Sequence, residues 1–251
     1  MLYTTVDAAM VLSQVKRQND TCFLDVLHNI SCGTLSEADY NILKQRFTTS
    51  VSEEERKSFK DAIRLYPTRA EVDEHNKNCL VALKHPTTGN PMPISRIPAQ
   101  HNSAQARDGT ENEAGGLRNT LYLAKGARIM LRANLWTEKG LVNGSMGEVV
   151  DILYAQDRSP PDDAPVAIIC KFDCYQGLYL DDLTKTVVIT PITKQWKSKN
   201  GQDCIRQQFP TSLCYACSIH KSQGLTLDKA NVNIGTLKEM SPGLTYTAVT
   251  S

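Results

Sequence analysis

Hydrophobic positions in the first quarter of the chain follow the period of a helix. Apolar residues recur at spacings of three and four within 23–30, with Asp20 before them as a candidate N-cap and Gly33 after them as a stop. Ser36 has the flanking apolar spacing of a hydrophobic staple, and Ser52 opens a capping-box pattern. The pattern predicts three helices in this part of the chain.

A strand and a further helix come next. Residues 62–66 form a short apolar run that Pro67 and Thr68 end, and residues 72–83 carry apolar side chains at helical spacing. From His85 to Gly116 proline and glycine recur and large apolar residues are few, which predicts a long surface connection.

The hydrophobic period then changes from that of a helix to that of a strand. The β-rich runs, separated by turn residues, are 127–131, 147–153, 166–172 and 186–189. Short strands at this spacing predict a small barrel or sandwich. One more apolar strand over 213–219, a polar loop and a strand near 230–234 close the pattern, so the chain is predicted to be an α/β domain interrupted by a β-domain.

Composition narrows the class of protein but leaves the partner open. The chain is 41% hydrophobic and 22% charged, as a globular protein is, and 28 basic against 27 acidic residues give a net charge of +1. No apolar run approaches the roughly 18 residues of a membrane span, and the first residues lack a signal-peptide pattern. Eight cysteines in 251 residues are too few for a disulfide scaffold. We therefore expect no membrane partner, reduced thiols and a nuclear or cytoplasmic, intracellular location.

Cys214, Cys217 and His220 have spacing that resembles a zinc site, and Cys204 is a candidate fourth ligand. If 213–219 is one strand, alternation places Cys217 on the face opposite Cys214 and His220, so the three cannot share one metal ion. We expect no metal site and interpret these cysteines as small buried residues.

Residues 217–228 carry the most informative chemistry in the chain. They read Cys-Ser-Ile-His-Lys-Ser-Gln-Gly-Leu-Thr-Leu-Asp, so hydrogen-bond donors, a cation and a permissive glycine follow directly on a buried strand. Ligands of α/β sheets bind at the carboxyl ends of strands, and this set of groups suits phosphate. Spacing alone is equally consistent with a plain polar turn.

This segment resembles motif V of the superfamily-one helicases of the petite-integration-frequency (Pif-type) and RecD-like branch, whose pattern is roughly T-I-H-K-S-Q-G-x-T. Residues 15–20 resemble motif IV, residues 65–76 resemble the strand–helix block that follows, and residues 246–251 resemble motif VI up to the position where the family continues with arginine. Two further stretches, 126–134 and 140–147, together resemble the β-barrel that is inserted in this family. The five blocks occur in the family's order and are spread over most of the chain.

The resemblance implies a RecA-like second motor lobe with an inserted small β-barrel and N-terminal helices. The implied divisions are a helical segment with motif IV at 1–60, the second lobe at 61–124 and 201–251, and the barrel at 125–200. The resemblance also implies that the complete parent would translocate on single-stranded DNA with ATP and Mg²⁺ and would unwind duplex DNA.

The sequence lacks the nucleotide cradle of such a motor. It contains no G-x-x-x-x-G-K-[ST] loop and no acidic Walker B strand for magnesium, so we expect the first motor lobe to be missing from it. We expect the C-terminal part of a helicase that is inactive alone and needs no cofactor as an isolated chain. The alternative is a non-enzymatic DNA- or partner-binding remnant.

Roles follow from the resemblance residue by residue. Arg17 would reach the γ-phosphate as the catalytic arginine, with Gln18 beside it, although Lys16 stands where the family usually has an aromatic residue; an ordinary surface arginine is the alternative. The implied nucleotide-coupling residues are Gln18, Lys221, Gln223 and Gly224. The implied DNA-binding residues are Ser218 and His220.

A second candidate DNA contact comes from the residues themselves. Trp196 is interleaved with Lys194, Lys197 and Lys199, a combination that favours single-stranded DNA but also suits a charge-rich hairpin tip. With a net charge of only +1, we expect the binding of single-stranded DNA to be weak.

Overall fold

The computed structural model describes residues 20–157, 163–225, 227–234 and 243–250. The helices are α1 (Thr21–Cys32), α2 (Glu37–Lys44), α3 (Glu53–Ser58), α4 (Arg69–Val81), α5 (Ala104–Asp108), α6 (Ile219–Ser222) and α7 (Leu244–Thr250). The strands are β1 (Ile63–Tyr66), β2 (Ser95–Pro98), β3 (Gln100–His101), β4 (Thr120–Leu123), β5 (Arg128–Leu131), β6 (Met146–Leu153), β7 (Ala167–Phe172), β8 (Val187–Ile189), β9 (Ile192–Lys197), β10 (Asp203–Gln208), β11 (Thr211–Leu213), β12 (Ala216–Ser218) and β13 (Ala230–Val232). Within these residues no helix combines the length and the apolar character that crossing a bilayer requires.

A three-stranded parallel sheet carries the α/β character of the fold. Its strand order is β12-β1-β13, with Leu65 opposite Cys217 on one side and Val232 on the other. Leu65 is fully buried, as expected for the central strand of a parallel sheet that is covered by other elements. The predicted α/β class is confirmed.

The first helices form where capping residues predict them. The Asp20 carboxylate accepts the amide of Phe23 at 3.1 Å, and Gly33 ends α1 in the left-handed conformation at φ 70°. Ser36 and Asp39 form a reciprocal capping box at the start of α2, while Ser52 caps α3. The three predicted helices are confirmed, because local hydrogen bonds at their termini favour them independently of the rest of the fold.

The predicted small barrel over 125–200 is wrong for the described strands, whose sheets stay open. A five-stranded antiparallel sheet has the order β11-β5-β6-β7-β8, so β11 and β8 are its two edges. Strand β9 follows β8 closely but pairs with β10, in a separate sheet of order β3-β10-β9. Pro191 lies between β8 and β9 and offers no amide to continue the first ladder.

The predicted surface connection over 85–116 is also wrong. This stretch forms β2, β3 and α5, and β2 pairs antiparallel with β4. Ile97 and Ala106 are buried within it. Its structure depends on contacts with β10, which is about 100 residues away along the chain and is not visible to a local pattern.

The strand predicted over 213–219 is two strands that belong to different sheets. Strand β11 pairs antiparallel with β5, whereas β12 pairs in parallel with β1. The chain changes sheets at Cys214 and Tyr215, and His220 lies beyond the second strand, in α6. The alternation used to place Cys214, Cys217 and His220 on faces of one strand therefore does not hold.

Two hydrophobic cores meet at strand β5. Ile129 and Leu131 belong to the core under the five-stranded sheet, while Met130 belongs to the core of the parallel sheet. Side chains alternate across a strand, so one short strand serves both cores. This packing connects the inserted β-rich region to the parallel sheet.

Candidate functional site at the end of the parallel sheet

The start of strand β12 is held in place by a side chain from α4. Asn76 is buried; its Nδ2 donates to the Ala216 carbonyl at 3.1 Å, and its Oδ1 accepts the amides of Tyr215 and Ala216 at 2.9 Å each. These backbone groups lie where the chain leaves β11 and enters β12. Asn76 thus satisfies polar groups at the change of sheet that no ladder can pair.

Strand β12 leads directly into the short helix α6. Ser218 is buried at the junction and stands at the N-cap position without a side-chain capping bond in the described structure. Ile219 is fully buried in the core, so the next residues face outwards, with His220 exposed and Lys221 partly exposed. The predicted polar loop is a helical turn at this point.

Lys221 lies in a strongly charged environment. Its Nζ is 3.9 Å from Oε2 of Glu111, and both side chains are 33% exposed. Burial lowers the pKa of Lys221, nearby Arg132 lowers it further, and Glu111 opposes the shift. Arg118 Nε lies 3.2 Å from the other oxygen of Glu111. One carboxylate is therefore shared between two cations.

Gly224 completes the turn after α6. Its φ is +87°, and the Leu225 amide donates to the Ser222 carbonyl at 2.9 Å across this turn. A Cβ added at Gly224 would meet nothing within 4 Å, so space is not the constraint. Glycine is favoured here because the left-handed backbone conformation is costly for residues with a side chain.

We expect Gly224→Ala to lower the free energy of unfolding by about 1 kcal/mol, because the backbone conformation is strained by a Cβ. Gly224→Asn is the matched control, since asparagine tolerates this conformation better, and it should lose less. Urea unfolding followed by circular dichroism measures both. Equal losses for the two variants would contradict a conformational requirement for glycine.

Trp196, Lys197 and Lys199 lie in and beyond strand β9, away from α6 along the chain. The guanidinium of Arg206 is 5.5 Å from the centre of the Trp196 ring, and the same ring lies against Gly109, where an added Cβ would be 2.6 Å from Cζ2. Lys197 and Lys199 are exposed, and Lys197 Nζ lies 4.0 Å from Asp203. Trp196 therefore has structural contacts that the sequence pattern did not indicate.

One segment, 104–118, contacts both the predicted DNA-binding hairpin and the predicted coupling residue Lys221. Its Gly109 contacts Trp196, its Gly115 contacts Lys194, and its Glu111 pairs with Lys221. The fold thus brings the tryptophan–lysine hairpin and α6 to the same segment. The roles of the individual residues in both groups stay predictions.

Arg206 holds this segment in place from strand β10. Its side chain is 0% exposed and donates to the carbonyls of Leu117 and Ala106 at 2.8 Å and of Gly109 at 2.7 Å. Burial lowers its pKa, although Glu111 and Glu113 oppose the shift. A buried guanidinium at these distances satisfies three carbonyls with one rigid group.

The cysteines considered as zinc ligands are buried. Burial raises the pKa of Cys214 to about 12 and that of Cys217 to about 11, and Cys204 is fully buried. In the described ranges, no three His, Cys, Asp or Glu side chains lie close enough to hold a metal ion.

The other family-like blocks surround α6 or lie beyond the described structure. Helix α7 covers most of the motif VI block and packs against α6, with Leu244 and Ala248 in the same core as Ile219. Gly144, in the 140–147 block, comes so close to the loop after α6 that an added Cβ would lie 2.7 Å from Leu225. Motif IV, with Lys16, Arg17 and Gln18, lies outside the described residues, as does Ser251.

Several residues that shape this site were not predicted from the sequence. They are Asn76, Glu111, Arg118, Arg132 and Arg206. For Asn76 a signal existed, because a polar residue interrupts the apolar face predicted for 72–83. For the other four, no local signal distinguishes them from ordinary surface charges.

Comparison with characterised proteins identifies similar chains over nearly the whole sequence. The ATP-dependent DNA helicase PIF1 of Xenopus laevis is 28% identical over 250 residues, which is 97% of this chain and 34% of that protein. The human PIF1 is 28% identical over 244 residues, with 97% and 33% covered. None of the protein-family models matches the chain. The chain spans about a third of the length of these curated relatives.

Solved structures show the same fold. The Pif1 helicase from Candida albicans superimposes with a TM-score of 0.66 at 23% identity, covering 94% of this chain and 52% of that one. The Bacteroides Pif1 bound to single-stranded DNA superimposes with a TM-score of 0.60 at 22% identity, covering 94% and 47%. The similarity predicted from the five sequence blocks is confirmed.

Proposed function

We propose that this chain, a homologue of part of the Pif1-type DNA helicases, forms the second motor lobe of an ATP-dependent DNA helicase. The observation that carries the proposal is similarity over 97% of the chain to such helicases. The parallel sheet β12-β1-β13, with a cation-bearing helix at the carboxyl end of β12, supports it. The lobe would move on single-stranded DNA as the parent hydrolyses ATP.

In this proposal, α6 and the hairpin of β9 and β10 contact the DNA backbone. His220 is exposed in the first turn of α6, and Ser218 lies directly before this helix. The turn that would couple nucleotide state to DNA contains Lys221, Gln223 and Gly224, and the buried side chain of Ile219 anchors its start. Contacts of hydroxyls, amides and cations to phosphates position a strand without reading its sequence.

ATP and Mg²⁺ would bind mainly on another lobe of the complete parent. Among the described residues no three His, Cys, Asp or Glu side chains are grouped so as to hold a metal ion, and the sequence lacks the G-x-x-x-x-G-K-[ST] loop that holds ATP phosphates. Arg17 and Gln18 are proposed to face the nucleotide from this lobe.

We expect the isolated chain to bind single-stranded DNA weakly, with a strong dependence on salt and no sequence preference, and to hydrolyse no ATP. Lys197→Ala with Lys199→Ala should lower the salt slope by roughly 0.7 for each phosphate contact that is lost. Fluorescence anisotropy of labelled oligonucleotides over a salt series measures the slope. A phosphate-release assay with and without DNA measures hydrolysis.

Lys44→Ala with Lys60→Ala is the matched control, because it removes two exposed lysines from the helical N-terminal region. This control should keep the wild-type slope. Equal salt slopes for both double variants would show that the β9–β10 hairpin does not contact the DNA. The isolated chain is proposed to bind single-stranded DNA but not to hydrolyse ATP. The absence of any DNA binding, or DNA-stimulated ATP hydrolysis, would contradict this proposal.

A further inference from the structure

Four cations from different parts of the chain meet beside α6. This basic cluster consists of Arg69, Arg118, Arg132 and Lys221. Arg69 begins α4, Arg118 precedes β4, Arg132 follows β5, and Lys221 lies in α6. The cluster is thus a product of the tertiary fold at the end of the parallel sheet, where ligands of such sheets bind.

Two carboxylates pair with this cluster in the described structure. Arg118 Nη2 lies 2.9 Å from Asp73 Oδ1, and its Nε lies 3.2 Å from Glu111 Oε1. Glu111 also reaches Lys221, at 3.9 Å. The two carboxylates thus pair with Arg118 and Lys221, within a group of four cations and in a chain whose whole net charge is only +1.

The cations of the cluster disfavour one another. Burial lowers the pKa of Lys221, and the charges of Arg132, Arg118 and Arg69 lower it further. Burial likewise lowers the pKa of Arg132, with Arg118 adding to the shift and Glu111 opposing it. An added anion would relieve this repulsion, because it supplies negative charge where the local field is positive.

The backbone around the cluster is held in a defined position. Gly116 has a φ of +90° and lies against Arg132, where an added Cβ would be 3.4 Å from the Arg132 Cβ and carbonyl oxygen. The Gly116 amide donates to the Glu111 carbonyl at 2.7 Å. Arg206 fixes both ends of this loop through Gly109 and Leu117. The side chains of Arg118, Glu111 and Lys221 remain one-third exposed, so a ligand can reach them.

We propose that Arg118, Arg132 and Lys221 bind a phosphate group, and that Glu111 acts as their internal counter-ion. Guanidinium groups suit this ligand because they donate two parallel hydrogen bonds to phosphate oxygens. The phosphate belongs either to the backbone of single-stranded DNA or to a free nucleotide. The first source rests on the proposed function, whereas the phosphate chemistry does not.

The test compares Arg132→Gln, Arg118→Gln and Glu111→Gln with Arg96→Gln, a matched control on the exposed side of β2. The two probes are a labelled oligothymidylate, followed by anisotropy over a salt series, and ATP, followed by calorimetry. Arg132→Gln should lower the oligonucleotide salt slope by about 0.7 for its lost contact. Glu111→Gln should strengthen binding about two- to fivefold, as expected for removal of one exposed competing charge. Arg96→Gln should match the wild type.

Each outcome decides the proposal. Changes in oligonucleotide binding support a backbone phosphate, and changes confined to ATP binding support a nucleotide phosphate. If Arg132→Gln and Glu111→Gln both match Arg96→Gln with both probes, the phosphate site is overturned. If the wild type binds no oligonucleotide, the DNA part of the proposed function fails and the ATP titration alone decides the site. Circular dichroism checks folding, and Arg118→Gln answers the same question if Arg132→Gln does not fold.

Discussion

Arg206→Met should lower the free energy of unfolding by about 3–5 kcal/mol, the largest loss that we expect from a single substitution in this protein. Methionine fills much of the space but leaves the carbonyls of Ala106, Gly109 and Leu117 without their donor. Each buried carbonyl left unpaired costs on the order of 1–3 kcal/mol, which water entering the site partly offsets. The melting temperature should fall by on the order of 10 °C.

Two further variants distinguish the loss of the buried hydrogen bonds of Arg206 from the loss of a positive charge. Arg107→Met removes an exposed arginine from the neighbouring helix and should change the unfolding free energy by less than about 0.5 kcal/mol. Arg206→Lys keeps the charge but loses the planar fork, so its loss should be intermediate. Thermal melts followed by circular dichroism measure all three variants. If Arg206→Met and Arg107→Met have the same melting temperature, the hydrogen bonds from Arg206 to the three carbonyls do not stabilise the fold.

Asn76→Leu should cost on the order of 3 kcal/mol and should also weaken DNA binding. Leucine keeps a similar volume but leaves the Tyr215 and Ala216 amides and the Ala216 carbonyl unpaired in the interior. Strand β12 and the following α6 then lose the contact that sets their position. Urea unfolding and oligonucleotide titration of the same variant measure the two effects.

Asn78→Leu is the matched control for this change. Asn78 is exposed two residues further along α4, so the same substitution there removes no buried hydrogen bond. Its unfolding free energy should change by less than about 0.5 kcal/mol, and DNA binding should stay at the wild-type level. Equal behaviour of the two variants would show that Asn76 does not position β12.

The substitutions of Asn76 and Arg206 affect the positions of two different segments of the site. Asn76 positions the strand that leads into α6, whereas Arg206 positions the segment that carries Glu111 and Arg118 to α6. A site of this kind depends on supporting contacts as much as on the groups that meet the ligand. We therefore expect a DNA-binding loss from Arg206→Met as well, measured at a temperature where the variant is folded.

The sequence by itself determined the elements whose signals are local. Helix α1 was predictable because Asp20 and Gly33 act on the backbone within one turn. Strand β1, the capped turn at Thr68 and helix α4 were predictable because apolar spacing and a capping box lie within about twenty residues. The motif V block was recognisable because its polar residues are contiguous in the chain.

Tertiary contacts decided features that no local sequence pattern indicates. Strand β10 buries Cys204, Arg206 and Gln208, although a polar–apolar pattern would place the arginine and the glutamine outwards. They can be buried because distant carbonyl groups accept their hydrogen bonds. The side-chain amide of Gln208, for example, donates to the Ile97 carbonyl at 3.0 Å. No local signal carries the position of those carbonyls.

The same reason explains the open sheets and the basic cluster. Whether β8 and β11 close a barrel depends on which distant strands pair with them, and β9 pairs with β10 instead. Arg69, Arg118, Arg132 and Lys221 are separated by up to about 150 positions, and only the fold brings their charges together. The sequence determined that a cation follows a buried strand; the tertiary structure decided which charges surround it, because charge interactions depend on distance in space and not along the chain.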